Sequence, residues 1–259
     1  MPWIDVNDVA LHYVLEGEGP PLLLLHEMGG CLHSWAHVVA RLSGWRVLRP
    51  DQRGSGLSQK IVGAVTLDDL VADLAALLPA LGIAEKVVVA GCAVGAGVAL
   101  AFAARHPQRV AAVLAMAPAT GIAEARRPAT LDLAAQIERN GLRARLFERI
   151  DQTFPAQFRG ADDRLAAFKG IALANDPRSY AAIQRMLVAM DLSADLPRIT
   201  CPCLVLAGDS DATRPPEMVA PVAATIPGAV FRTVRSGHVM PMLTPGLVAD
   251  AIGEVARRA

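Results

Sequence analysis

The sequence predicts an α/β domain: a mostly parallel sheet covered by helices on both faces, with an all-helical insertion in its middle. Three observations carry this. Short runs rich in Val and Leu alternate with helical patterns up to residue 116 and again after residue 200. Several of these runs, such as 22–25 and 110–116, are apolar at nearly every position, as strands buried on both faces must be. Between 117 and 200 the alternation stops.

In chain order, residues 10–16 and 21–25 read as strands, 34–42 as a helix and 45–48 as a strand. Thr66 with Asp69 three residues on is a helix-opening pair. It precedes Leu67, Leu70, Leu74, Leu77 and Leu78 on one helical face, and Gly82 ends that helix. Strand 87–89, a glycine-rich turn, a helix to Ala104 and strand 110–116 follow. Segments near 131–150, 162–174 and 177–190 read as amphipathic helices without a convincing strand. The core rhythm then returns with strand 204–207, helix 216–225, strand 230–234 and helix 246–255. The expected division is a core of 1–120 and 200–259 with a helical cap at 121–199.

Composition narrows the function classes. Apolar residues make up 53% and charged residues 19%, which excludes a disordered chain. Lys plus Arg and Asp plus Glu are 25 each, so no electrostatic pull towards nucleic acid or an anionic membrane is expected. The uncharged run 87–104 changes from β-branched to Ala-rich across three glycines, which reads as strand, turn and buried helix rather than a membrane span. Met-Pro-Trp-Ile-Asp has neither a basic nor an apolar leader region, so a cytoplasmic protein is expected. Cys31, Cys92, Cys201 and Cys203 are too few and scattered for a disulfide scaffold, and Cys201-Pro-Cys203 has no partner cluster for zinc. No metal and no cofactor is implied.

Chemistry gathers at strand-to-helix and strand-to-loop junctions. Gly91-Cys-Ala-Val-Gly95 has the form of a G-x-S-x-G nucleophile elbow with Ala93 in the serine's place. Gly91, Gly95 and Gly97 let a tightly turned backbone pass its neighbours, so the central side chain projects into a pocket. Cys92 lies one residue before that position and should point into packing.

Elbow, Asp51-Gln-Arg-Gly-Ser-Gly-Leu-Ser58, Gly208-Asp-Ser-Asp211 and Ser236-Gly-His238 are spaced along the chain so that it resembles the α/β-hydrolase superfamily nearly end to end. The loop His26-Glu-Met-Gly-Gly30, Asn175-Asp-Pro-Arg-Ser-Tyr180 and Met190-Asp-Leu look most like the 3-oxoadipate enol-lactonases and aminoacrylate hydrolases. Alanine in the elbow also occurs among relatives of the latter. The resemblance implies an α/β-hydrolase fold with a helical cap. It implies Asp211 as the acid that orients His238, His238 as the base, and an oxyanion hole made by the N–H groups of Met28 and Val94. Glu27 departs from the glycine common at that place. It would repel a developing anion, carry a second proton, turn outward, or pair with a cap arginine. Trp35 and cap arginines, notably Arg178 and Arg185, are the expected pocket walls and carboxylate receivers. Cys31 would be wall, and His106 and Arg109 structural.

The partner expected is a small-molecule substrate, with room left for a homodimer. The leading reading is a hydrolase in which His238–Asp211 activates water for attack on an activated, carboxylate-bearing substrate of enol-lactone, enamine or amide type. Three others stay open: cofactor-free lyase chemistry with the same base, a serine hydrolase carrying Ser-to-Ala at 93, and a ligand-binding protein without turnover.

Overall fold

A computed structural model of the chain describes residues 2–160 and 162–259; Met1 and Ala161, the latter within the expected cap, lie outside the described residues. One sheet of eight strands forms its centre: β1 (Trp3–Val6), β2 (Val9–Glu16), β3 (Pro21–Leu25), β4 (Arg46–Pro50), β5 (Val87–Cys92), β6 (Val110–Met116), β7 (Cys203–Gly208) and β8 (Val230–Val234). Their spatial order is β1-β2-β4-β3-β5-β6-β7-β8. β2 is antiparallel to both β1 and β4, and all other neighbours are parallel. β1 has no counterpart in the expectation from sequence. It is held by a two-residue hairpin in which Asn7 and Asp8 both take positive φ, 49° and 57°, the turn that matches strand twist.

The central strands are buried on both sides, and alternate residues feed two different cores. Leu23, Leu25, Val87, Val89, Val113 and Val205 face a layer built by α2 (Leu67–Ala80), α3 (Val94–Arg105) and α8 (Pro216–Ala224). Leu22, Leu24, Val88, Ala90, Leu114 and Leu204 face α1 (Ala36–Val39) and α10 (Pro245–Ala256). α2 opens on the expected box: Thr66 Oγ1 accepts the Asp69 N–H at 3.1 Å, and Asp69 Oδ2 accepts the Thr66 N–H at 2.8 Å. The expected helix at 34–42 is instead a 3₁₀ turn, Leu32–Trp35, running into the single turn of α1.

Among the described residues no strand lies between β6 and β7. That stretch holds α4 (Arg127–Asn140), α5 (Arg143–Thr153), α6 (Arg164–Leu173) and α7 (Pro177–Ala189). A single helix at 131–150 is broken because Gly141 takes φ 75° and ends α4. A short α9 (Met240–Leu243) after the histidine turn was also not legible. Among the described residues no helix is long and apolar enough to cross a membrane.

The strand order sets the site. β3 has β4 on one side and β5 on the other: the chain runs from β3 to β4 in one direction, and the next crossover returns past β3 to β5 in the opposite direction. The crevice beyond the C-terminal ends of β3 and β5 is a topological switch point, where open α/β sheets receive ligands.

Candidate active site

The elbow joins β5 to α3. Ala93 takes φ 51° and ψ −110°, outside the comfortable range of an L-residue. Hydrogen bonds on both sides hold it there: its N–H donates to Met116 O at 2.9 Å, and its carbonyl accepts from Gly97 and Ala119 at 3.1 and 2.9 Å. The flanking glycines are sterically obligatory. A Cβ on Gly91 would lie 2.4 Å from Gly95 O, on Gly95 2.4 Å from Leu25 O, and on Gly97 2.1 Å from Ala119 O. Cys92 is fully buried and its thiol reaches His238 O at 3.4 Å. Burial, then the negative charges of Glu27 and Asp211, push that thiol well above its usual range, which disfavours the thiolate a nucleophile needs.

His238 and Asp211 come together from the turns after β8 and β7. His238 Nδ1 donates to Asp211 Oδ2 at 2.8 Å, and Oδ1 accepts the N–H groups of Thr213 and Arg214 at 2.8 and 2.9 Å. Burial pushes the Asp211 carboxyl up, but the hydrogen bond and charge of His238 and the two N–H donors outweigh it and hold Asp211 below the ordinary carboxylate range. A carboxylate only accepts, so Nδ1 carries the proton and Nε2 is left as a base.

The loop after β3 is equally constrained. His26 Nε2 accepts the Gln52 N–H at 3.0 Å, so its Nδ1 donates to Glu27 O at 2.8 Å. Glu27 turns neither outward nor onto an arginine: it is buried, and Oε1 accepts from Ser34 Oγ at 2.9 Å. Val94 opens α3, so its N–H has no carbonyl one turn back within the helix. Both Val94 and Met28 line the same cavity as Ala93, His238 and Glu27.

That cavity is about 270 Å³. Its remaining walls come mostly from α4 to α7, including Arg145, Arg149, Phe168, Tyr180 and Leu187, with Arg126 just before α4 and Arg214 beside Asp211. Among the described residues Arg126, Arg149 and Arg214 pair with no carboxylate. Burial, then the charge of Arg145, holds the Arg149 guanidinium below its ordinary range; burial does the same to Arg214, partly offset by Asp211. An anion in the cavity would relieve both. Burial raises the Tyr180 hydroxyl, against the pull of Arg145 and Arg149.

Four expected wall residues are elsewhere. Trp35 is fully buried in the core with Leu22, Leu24 and Val38, because its turn packs beneath β3. Arg178 and Arg185 are exposed and absent from the cavity, Arg185 pairing with Glu138. They lie seven residues apart on the outer face of α7, whose inner face buries Ala182, Ile183 and Met186. Cys31 is buried outside the cavity, and burial pushes its thiol up to about 12. The arginines that reach the cavity had one legible signal. Leu142, Arg145, Leu146, Arg149 and Thr153 form a single helical stripe. Among the described residues no cluster of three His, Cys, Asp or Glu stands ready for a metal.

The family model for the alpha/beta hydrolase fold matches residues 20–245. A thermophilic esterase from Thermogutta terrifontis, solved with malate bound, superposes with a TM-score of 0.89 at 31% identity, covering 96% of this chain and 93% of the other. The enol-lactonase from Burkholderia xenovorans LB400 superposes with a TM-score of 0.93 at 27% identity, covering 99% and 100%. A pyrrolizixenacetamide deacetylase from Xenorhabdus hominickii is 25% identical over 93% of this chain and 92% of its own length. A match running from the first parallel strand to the last helix, with full-length likeness to an esterase, a lactonase and a deacetylase, leaves one assignment: the chain belongs to the α/β-hydrolase-fold family of hydrolytic enzymes.

Proposed function

We propose that this chain hydrolyses a small, activated, carboxylate-bearing substrate of enol-lactone, enamine or amide type, with His238–Asp211 activating water because position 93 offers no hydroxyl. The observation that carries this is the His238 Nδ1–Asp211 Oδ2 hydrogen bond at 2.8 Å beside a cavity that Ala93 also lines. His238 Nε2 takes a proton from water as the water oxygen attacks the carbonyl carbon. The carbonyl π electrons move onto oxygen, where the N–H groups of Met28 and Val94 receive the charge. Collapse expels the leaving group, which takes its proton from the imidazolium that Asp211 has stabilised. Segment 121–199 acts as the cap, and Arg145, Arg149 and Arg214 receive the substrate carboxylate. The malate on the Thermogutta esterase and the lactone chemistry of the Burkholderia relative support that choice. A site lacking its nucleophile retains roughly 10³–10⁴-fold acceleration over water. That suffices for a labile metabolite and not for an ordinary amide.

Turnover of mono-4-nitrophenyl adipate against 4-nitrophenyl hexanoate tests the reading. The acid is expected to be preferred, His238→Ala to lose at least about 10²-fold in kcat, and Ala93→Ser to bring no gain on the acid. Rescue by Ala93→Ser of several orders of magnitude would mean an ordinary serine hydrolase instead. Full activity in His238→Ala would remove the base from the mechanism.

A further inference from the structure

Glu27 is a buried acid with one carboxylate oxygen left over. Its residue is 4% exposed, and only Oε1 has a protein donor, Ser34 Oγ at 2.9 Å; Oε2 is buried and meets none. A carboxylate in that position is strongly destabilising unless its free oxygen is used. The surroundings are nevertheless shaped to hold it. His26 and the Gly30 N–H both donate to the Glu27 carbonyl, at 2.8 and 3.0 Å. A Cβ on Gly30 would fall 2.5 Å from Glu27 Oε1, so the glycine makes room for the carboxylate. Placement points to the elbow. β3 pairs with β5 as far as Leu25 opposite Gly91, and two residues beyond on each strand lie Glu27 and Ala93. The charges of Glu27 and Asp211 both act on Cys92, immediately before Ala93.

We propose that Glu27 is a second catalytic group, whose Oε2 accepts one hydrogen of the attacking water while His238 Nε2 removes the other. The inference rests on the hydrolytic reading above and adds the group that stands in for the lost serine as the water's anchor. The water gives one proton to His238 and forms its O–C bond with the lone pair so freed. Its second hydrogen stays bonded to oxygen and ends on the product acid. Glu27 remains a carboxylate throughout.

The test compares wild type, Glu27→Gln, Glu27→Asp and His238→Ala on mono-4-nitrophenyl adipate, together with thermal unfolding. Glu27→Gln is expected to lower kcat by about 10²-fold or more with little change in KM. Glu27→Asp should recover part of the rate. Because Gln removes a buried, half-partnered charge, Tm should rise by about 2–4 °C. A glutamate kept only for structure would give the opposite stability change. Unchanged kcat, or a lower Tm, in Glu27→Gln would overturn the proposal. Loss in His238→Ala with none in Glu27→Gln would retain the hydrolytic reading and reject only Glu27. Full activity in His238→Ala would reject the reading beneath both.

Discussion

Ala93 is held at φ 51°, where an L-residue costs about 1–3 kcal/mol, and three surrounding hydrogen bonds and three obligatory glycines enforce that cost. Such strain is retained where a backbone must present a side chain and an N–H to a cavity. It survives here although the side chain is a methyl group. Asp211 shows the same concentration of effort, with three hydrogen bonds on one buried carboxylate. Its folded-state pKa lies below the unfolded value. Its contribution to stability is therefore full above the unfolded value, about 4, and is lost as pH falls through the folded one. Asp211→Asn should cost about 2 kcal/mol in urea unfolding at pH 7, and that gap should close as pH drops below about 4. A gap equally wide at pH 2 would mean that the charge is not what stabilises.

Helical phase decides which arginines matter. α5 turns Leu142, Arg145, Leu146 and Arg149 into the cavity, whereas α7 turns Arg178 and Arg185 out and buries Ile183 and Met186. The exposed Arg185–Glu138 pair is worth less than about 1 kcal/mol. Arg149→Ala should raise KM for mono-4-nitrophenyl adipate by about 10–100-fold, the value of a charge-assisted hydrogen bond, and leave the neutral hexanoate ester unaffected. Arg185→Ala should change neither KM by more than about twofold. Equal effects of the two substitutions would contradict the assignment of α5 as the anion-binding wall. The α5 stripe was readable as a period in the sequence. In α7 the period likewise puts residues 178 and 185 on one face, seven apart, but which face meets the cavity is set by packing.

Over the whole molecule, the helical segment is tied to the loops that carry the site. Asn175 Nδ2 donates to Gly29 O at 2.8 Å, next to Met28, and Arg164 donates to Met242 O and Leu243 O at 2.8 Å, just beyond His238. Phe154 and Phe168 pack with Val239, Met242 and Leu243 in a small core of their own. The aromatic ring of Tyr180 closes over Gly29, where a Cβ would lie 3.0 Å from the ring. These contacts couple the order of α6 and α7 to the position of the loop after β3. Asn175→Ala should lower kcat/KM by about 3–10-fold, the value of one hydrogen bond, and raise amide hydrogen exchange at residues 28–30. Unchanged exchange there would mean that the loop holds itself.

The sequence by itself determined the alternation of strand and helix, the burial of β3, β5 and β6 on both faces, the capping box of α2, and the order of elbow, acid and histidine. These are local properties. Hydrophobic period, the glycine demanded by a tight turn, and a cap three residues from its partner are all set within a few positions of chain. Only the tertiary structure decided that Trp35 belongs to the core, that Arg145, Arg149 and Arg214 rather than Arg178 and Arg185 reach the cavity, and that Glu27 is buried with one oxygen unpartnered. Each of those depends on which distant segment packs against the residue. Ser34 against Glu27, Tyr180 over Gly29 and the return of the chain past β3 to β5 arise when the chain closes on itself, not from the residues alongside.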